Sequence, residues 1–311
     1  MHDLILHHYP TSPFAEKARL MLGFKQLSWR SVTIPPVMPK PDLTALTGGY
    51  RRTPVLQVGA DIYCDTAMIA RRLEAEKATP VLFPEGQEFV VAQLAQWADS
   101  TLFLTAVSLV FQPESMAARF AKAPAEFVQA FSKDRAALFS GGNVSRVPLE
   151  QARHQWPTLM GRLEQQLSRS SGEFLLGVPS LADIAVAHCL WFLKGNTVTS
   201  PLVDDYPHIA AWLGRVLSVG HGSFTELSSG EAVEVARNAT PADLPANAFR
   251  DPNGFAPGQA VAIAAVDYGV DPVEGELVYG DAETLVLRRE DERAGTLHVH
   301  FPRNGYRIEA R

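Results

Sequence analysis

The stretch Tyr9-Pro-Thr-Ser-Pro-Phe-Ala-Glu-Lys-Ala-Arg19, coming directly after the apolar run Leu4-Ile5-Leu6, constrains the fold more than any other part of this chain. An apolar run without alternation predicts a short strand buried on both faces. Ser12 followed by Pro13 predicts a helix start, because a serine hydroxyl accepts from the first unpaired amides and proline costs nothing at the first helical position. Glu16 in the first turn suits the helix dipole. The Ser12 hydroxyl therefore belongs at the positive end of a helix, a position that stabilises a thiolate or another anion. The same serine serves equally well as a plain cap.

Two further elements follow in the first eighty residues. Thr53-Pro54 precedes Val55-Leu56-Gln57-Val58, a proline at the head of a strand. A cis bond there would turn the Thr53 backbone outward to pair with an extended peptide, whereas a trans bond would make it an ordinary strand start. Asp65-Thr66 then precedes Met68, Ile69 and Leu73 at helical spacing, so a second helix N-terminus offers amides to a carboxylate or simply carries a cap.

In this order the three motifs resemble the glutathione S-transferase superfamily, of serine/tyrosine type and bacterial-like, over roughly residues 1 to 220. Ser180-Leu-Ala-Asp183 has the form of a capping box, with Asp183 where Glu or Gln is usual, and resembles a motif of the family's helical domain. Tyr206-Pro207 resembles the helix start that follows it. The resemblance implies that glutathione is the co-substrate. Ser12, after which Phe14 lines the site, would donate its hydroxyl hydrogen to the glutathione sulfur. Thr53, ahead of Pro54, would hold the cysteinyl backbone. Asp65 would take the γ-glutamyl ammonium and Thr66 its carboxylate. Lys40, or the pair Arg51-Arg52, would reach the glycyl carboxylate, although Arg51-Arg52 reads equally as a solvated loop pair.

Tyr9 is the other candidate for thiol activation, since its phenol is also a hydroxyl donor. Ser12 is preferred because it directly precedes Pro13-Phe14, where the family's thiol-transferase branches place a cysteine. A serine there argues against disulfide exchange. Cys64 and Cys189 have no CxxC spacing and read as small buried side chains, consistent with a reducing cytoplasm. A net charge of −6 gives no electrostatic case for nucleic acid or an anionic membrane. The longest apolar stretch, Thr101 to Phe111, is too short to cross a bilayer.

The expected architecture is an α/β thioredoxin-like N-terminal domain (1–80), an all-α helical second domain (87–225), a helix and linker (226–258), and a small C-terminal antiparallel β-barrel-like domain (259–311). In the second domain, Phe89, Val90, Leu94, Trp97, Leu102 and Leu104 predict one long apolar helix, and Trp156-Pro157 predicts a helix kink or start. Trp97, Phe103 and Phe111 are candidates to line an apolar second-substrate pocket, or are plain core. Beyond residue 220 the resemblance stops. Five short strand candidates separated by Gly-Asp, Ala-Gly and Asn-Gly turns predict the β domain. His298 and His300 share one strand face without an evident third ligand, so no metal is expected. The functional expectation is a detoxification-type transferase, a homodimer that joins glutathione to a small hydrophobic electrophile. The alternative is a non-catalytic glutathione- or ligand-binding scaffold whose C-terminal domain docks a protein partner.

Overall fold

The computed structural model describes residues 3–170, 172–245 and 251–311, so the part of the expected linker at 246–250 lies outside the described residues. The first unit alternates strands and helices: β1 (Leu4–His8), α1 (Pro13–Phe24), β2 (Ser28–Thr33), α2 (Pro41–Thr47), β3 (Val55–Val58), β4 (Asp61–Cys64) and α3 (Thr66–Glu76). All five residues of β1 are buried, as an unalternating apolar run requires. β1 pairs parallel with β2 and antiparallel with β3, which pairs antiparallel with β4. The Thr53–Pro54 bond is cis.

The second unit is helical. α4 (Glu88–Trp97) passes through a π-helical turn at Ala98–Leu102 into α5 (Phe103–Val110). α6 (Pro113–Arg119), α7 (Ala125–Leu138), α8 (Leu149–Arg169), α9 (Leu181–Lys194), α10 (Pro201–Asp204) and α11 (Pro207–Leu217) follow. The single long apolar helix expected from Phe89 onward therefore forms, running from Glu88 to Val110 with the π-helical turn inside it. Its first two apolar residues face outward, Phe89 being 76% and Val90 49% exposed. Pro157 lies inside α8, which neither starts nor ends there. Among the described residues no single helix is long and apolar enough to cross a membrane.

The capping box at Ser180 and Asp183 forms at the start of α9, and Asp183 does more than cap. Its Oδ1 accepts from the Trp212 indole N–H and the Leu175 amide, each at 2.9 Å, and its Oδ2 accepts from the Ser180 amide at 3.0 Å. These donors satisfy a carboxylate buried in the core, although burial still raises its pKa.

The third unit joins the first on both sides. β5 (Ser223–Glu226) adds to β2 in parallel, and α12 (Ser229–Arg237) packs against α2. β6 (Ala260–Ala265), β7 (Val273–Gly280), β8 (Thr284–Asp291), β9 (Gly295–Pro302) and β10 (Tyr306–Ala310) form an antiparallel sheet in the order β10-β6-β7-β8-β9, with an irregularity in β7 between Leu277 and Tyr279. β9 then pairs parallel with β4, matching Asp61 to His298, Ile62 to Val299 and Tyr63 to His300. One ten-stranded sheet results. The edge of β4, which would expose a row of unpaired amides and carbonyls, is covered by the chain's own C-terminal strands. His298 and His300 sit on this seam: the His300 ring bonds Asp61 Oδ1 at 2.8 Å and stacks on Tyr63 with 4.4 Å between centroids.

Candidate functional site

Two adjoining cavities open around the C-terminal ends of β1 and β4 and the N-terminal end of β3. One, of about 400 Å³, is lined by Pro54, Asp65 and Thr66 together with Lys17 and Asp99. The other, of about 90 Å³, is lined by Tyr9, Ser12, Lys40, Phe103 and Phe111. Phe14, Arg52 and Thr53 line both. Nearly all the sequence-predicted site residues thus converge on one continuous cleft. Trp97 is the exception: it packs against the helical core and lines neither cavity, whereas Phe103 meets Phe14 of α1 and Phe111 meets Phe131 and Phe192.

Ser12 is the N-cap of α1, and its hydroxyl oxygen accepts from the Ala15 amide at 3.2 Å. A capping hydroxyl uses only its lone pairs, so its hydrogen is available to donate toward the small cavity. Tyr9 stands across the same turn, where its carbonyl accepts from the Ser12 amide at 3.2 Å. Phe14 packs edge-on against Phe103 with 4.6 Å between centroids, and this contact joins α1 to the helical domain beneath the cavity.

Asp65 carries the least common backbone of the site, with φ +79° and ψ 141°. For a residue other than glycine this conformation costs on the order of 1–3 kcal/mol and persists only where surroundings impose it, typically at functional sites. It places Asp65 as the N-cap of α3, with Oδ1 accepting from the Ala67 amide at 2.9 Å and Oδ2 turned to the cavity. Thr66 opens the helix beside it and accepts from the Lys17 ammonium at 3.2 Å. Lys17 is almost wholly buried and ion-paired with Asp99. Burial pushes the Asp99 carboxyl up to about 6, against the pull of Lys17. The start of α3 thus gathers a helix N-terminus, an ammonium and two carboxylates, Asp65 and Asp99, at one place in the large cavity.

The three candidate cations near Thr53 differ in what already holds them. Arg51 donates to Asp134 at 2.9 Å on α7. Arg52 is ion-paired with Asp267 and donates through Nε to the Tyr268 carbonyl at 3.0 Å. Neither is a solvated loop residue, and neither is free for a small-molecule carboxylate. Lys40 instead donates to the Thr53 hydroxyl at 3.1 Å, and burial, with Arg135 and Arg51 nearby, pushes its ammonium down to about 8. Of the three, Lys40 is the one positioned to take a carboxylate.

Several lining residues carried no usable signal in the sequence. Lys17 looks like any polar residue of an amphipathic helix, although it is almost entirely buried. Asp99 offered a clue as a lone acid within an otherwise apolar stretch. Tyr268 and Tyr306 reach the cleft from the third unit, across more than 200 residues of sequence.

Comparisons with known proteins agree with this geometry. The family model for the glutathione S-transferase N-terminal domain matches residues 6–81, and that for the C-terminal domain matches residues 148–215. A GST-like protein from Pseudomonas syringae is 63% identical over 99% of this chain and 100% of its own, with a TM-score of 0.86. A glutathione S-transferase from Rhodospirillum rubrum F11 shares the fold at 20% identity, covering 69% of this chain and 88% of its own, with a TM-score of 0.52. FzlA from C. crescentus does so at 20% identity over 79% of this chain and 96% of its own, with a TM-score of 0.50. No curated protein matches the chain. With both domain models matched in order and a close structural relative matched end to end, the chain belongs to the glutathione S-transferase superfamily.

Proposed function

We propose that this protein binds glutathione in the cleft, stabilises its thiolate and transfers it to a small hydrophobic electrophile. The observation that carries the reading is the position of Thr53: it lines both cavities, with the Asp65–Thr66 helix start on one side and the Ser12 hydroxyl on the other. An extended γ-Glu-Cys-Gly peptide needs that order of groups. Asp65 takes the γ-glutamyl ammonium, while the Thr66 end of α3, with Lys17 behind it, takes the α-carboxylate. The Thr53 backbone pairs with the cysteinyl unit as one strand pairs with another. Lys40 takes the glycyl carboxylate in place of Arg51 and Arg52, whose charges are already engaged.

The sulfur then lies in the small cavity beside Ser12. Its proton passes to solvent, and the thiolate left behind accepts from the Ser12 hydroxyl at the positive end of α1. The thiolate lone pair forms the new C–S bond while the electrophile's leaving group departs with its electron pair. Phe103 and Phe111 supply the apolar wall for that second substrate. Cytoplasmic location and homodimerisation are part of the same proposal, carried by family membership.

Calorimetric titration of glutathione into wild type, Asp65→Asn and Ser12→Ala, with ultraviolet absorbance to follow bound thiolate, tests the reading. Binding weakened in Asp65→Asn and a thiolate signal lost in Ser12→Ala are expected. A thiolate signal that survives in Ser12→Ala moves the role to Tyr9, and no binding by wild type ends the transferase reading.

A further inference from the structure

The third unit lies outside both matched domain models, yet it contributes side chains to the wall of the large cavity. The phenol of Tyr306, at the start of β10, donates to Asp65 Oδ2 at 3.0 Å and lies 2.9 Å from the Tyr50 hydroxyl. Asp267 and Tyr268, on the turn after β6, hold Arg52: Asp267 pairs with its guanidinium and the Tyr268 ring lies against it, 4.2 Å from Cζ to centroid. Held in this way, Arg52 Nη1 stays 4.0 Å from Asp65 Oδ2.

These contacts come from a turn fixed on its far side by the helical domain. The Asn143 amide donates to the Val266 carbonyl at 2.9 Å, the Gly269 amide donates to the Leu138 carbonyl at 2.7 Å, and Tyr268 stacks on Phe139 at 4.8 Å. The approach is close enough that a Cβ on residue 142 would fall 1.6 Å from the Asp267 carbonyl oxygen, so only glycine fits there. The turn is thus wedged between the two transferase domains.

We infer that the C-terminal β unit completes the subsite for the α-amino group of the γ-glutamyl moiety from within the same chain, with Tyr306 orienting the Asp65 carboxylate and Asp267 drawing Arg52 away from it. This rests on the glutathione reading above. The electrostatic logic is specific. An ammonium at Asp65 competes with any cation already there, and Arg52 is the nearest one. Asp267 gives Arg52 another partner, so the Asp65 charge remains available to ligand. Tyr306 uses one carboxylate oxygen and the Ala67 amide the other, which fixes the plane of the carboxylate. Tyr306 and Asp267 are positioning residues: both act through Asp65.

The test compares glutathione with N-acetylglutathione, whose amine is blocked, by calorimetry on the full-length protein. Wild type is expected to prefer glutathione about tenfold or more, as loss of a charged hydrogen-bonding group predicts. Tyr306→Phe, which removes one hydroxyl and keeps the ring, is expected to cut that preference about fivefold while moving N-acetylglutathione affinity less than about twofold. Asp267→Asn is expected to cut it similarly, and adding Arg52→Gln to that variant is expected to restore it. Wild-type preference retained in both single variants overturns the inference, as does an equal loss of affinity for both ligands, which would mark a purely structural role. Wild type that fails to bind glutathione would instead overturn the glutathione reading itself, and the wild-type titration alone reveals that case.

Discussion

The two cavities that meet at Thr53 differ in chemistry and in what builds them. The larger carries the Lys17–Asp99 and Arg52–Asp267 pairs and takes its walls from all three units of the chain. The smaller, about 90 Å³, has Ser12 in its lining and combines Phe103, Phe111, Phe131 and Phe192 with a rim of cations that includes Lys40 and Arg119. Buried charges are costly unless partnered, so the pairings constrain which charges this cavity can carry. Apolar walls lack that constraint, since aromatic rings of similar size exchange at low cost. Under the glutathione reading proposed above, the difference implies a division of labour: the larger chamber would hold the γ-glutamyl end of the peptide, and the smaller one its sulfur and the second substrate.

The sharpest way to break this division is at Ser12. Ser12→Ala is expected to lower conjugation about a hundredfold, the usual cost of removing one donor to a developing or stabilised anion, with glutathione affinity within about threefold. Loss of the cap will also lower stability by about 1 kcal/mol, measurable by urea unfolding. A variant that loses affinity and rate together would show that the chambers are not separate.

Asp65→Asn is the matching test of the larger chamber. Asparagine keeps a capping oxygen and tolerates positive φ better than most residues, so the fold should hold. Glutathione affinity is expected to fall tenfold or more, as a charge-assisted hydrogen bond is lost. An unchanged dissociation constant would remove Asp65 from the site.

Lys40 sharpens the comparison through pH. Its ammonium, lowered by burial to about 8 in the free protein, must be charged to hold a carboxylate, and a bound carboxylate raises that pKa. Affinity should therefore be full below about pH 8 and decline as pH rises past it. Using S-methylglutathione removes the thiol's own titration. Lys40→Met is expected to bind about tenfold more weakly at pH 7 and to show a shallower decline, the remainder coming from the ligand's own α-amine, which loses its proton in the same range. Equal declines in wild type and Lys40→Met would assign the glycyl end elsewhere.

The smallest effect should come from the aromatic wall. Phe111→Leu is expected to change the ranking of alternative electrophiles by about threefold to tenfold, in line with the cost of about one or two methylenes in a pocket, and to leave glutathione affinity unaltered. Trp97→Phe should leave both unaltered, because Trp97 packs in the core away from the cleft. Electrophile ranking that responds to Trp97 rather than Phe111 would misplace the second chamber.

The parts legible before folding were those written in short local signals. Ser12-Pro13 predicts a cap, and the hydroxyl accepts from Ala15. Asp65-Thr66 predicts a helix start, and α3 begins at Thr66. Ser180 and Asp183 predict a capping box, and one forms. Where local signals compete, the sequence misleads. The apolar pattern from Phe89 to Leu104 predicts one helix and one forms, yet the pattern does not announce the π-helical turn within it or that Phe89 lies in solvent. Arg51 and Arg52 look alike in sequence, while the fold gives one to Asp134 and the other to Asp267.

The sequence by itself determined the elements: capping, proline placement and apolar periodicity act over a few residues, so they are settled within each segment. Tertiary structure alone decided the partners. Whether β9 would cover the open edge of β4, whether Tyr306 would reach Asp65 across 241 positions, and which cation near Thr53 would have no carboxylate partner among the described residues all depend on long-range docking. Those pairings follow from a requirement no local pattern expresses, that a buried charge or an open strand edge is costly until another part of the folded chain meets it.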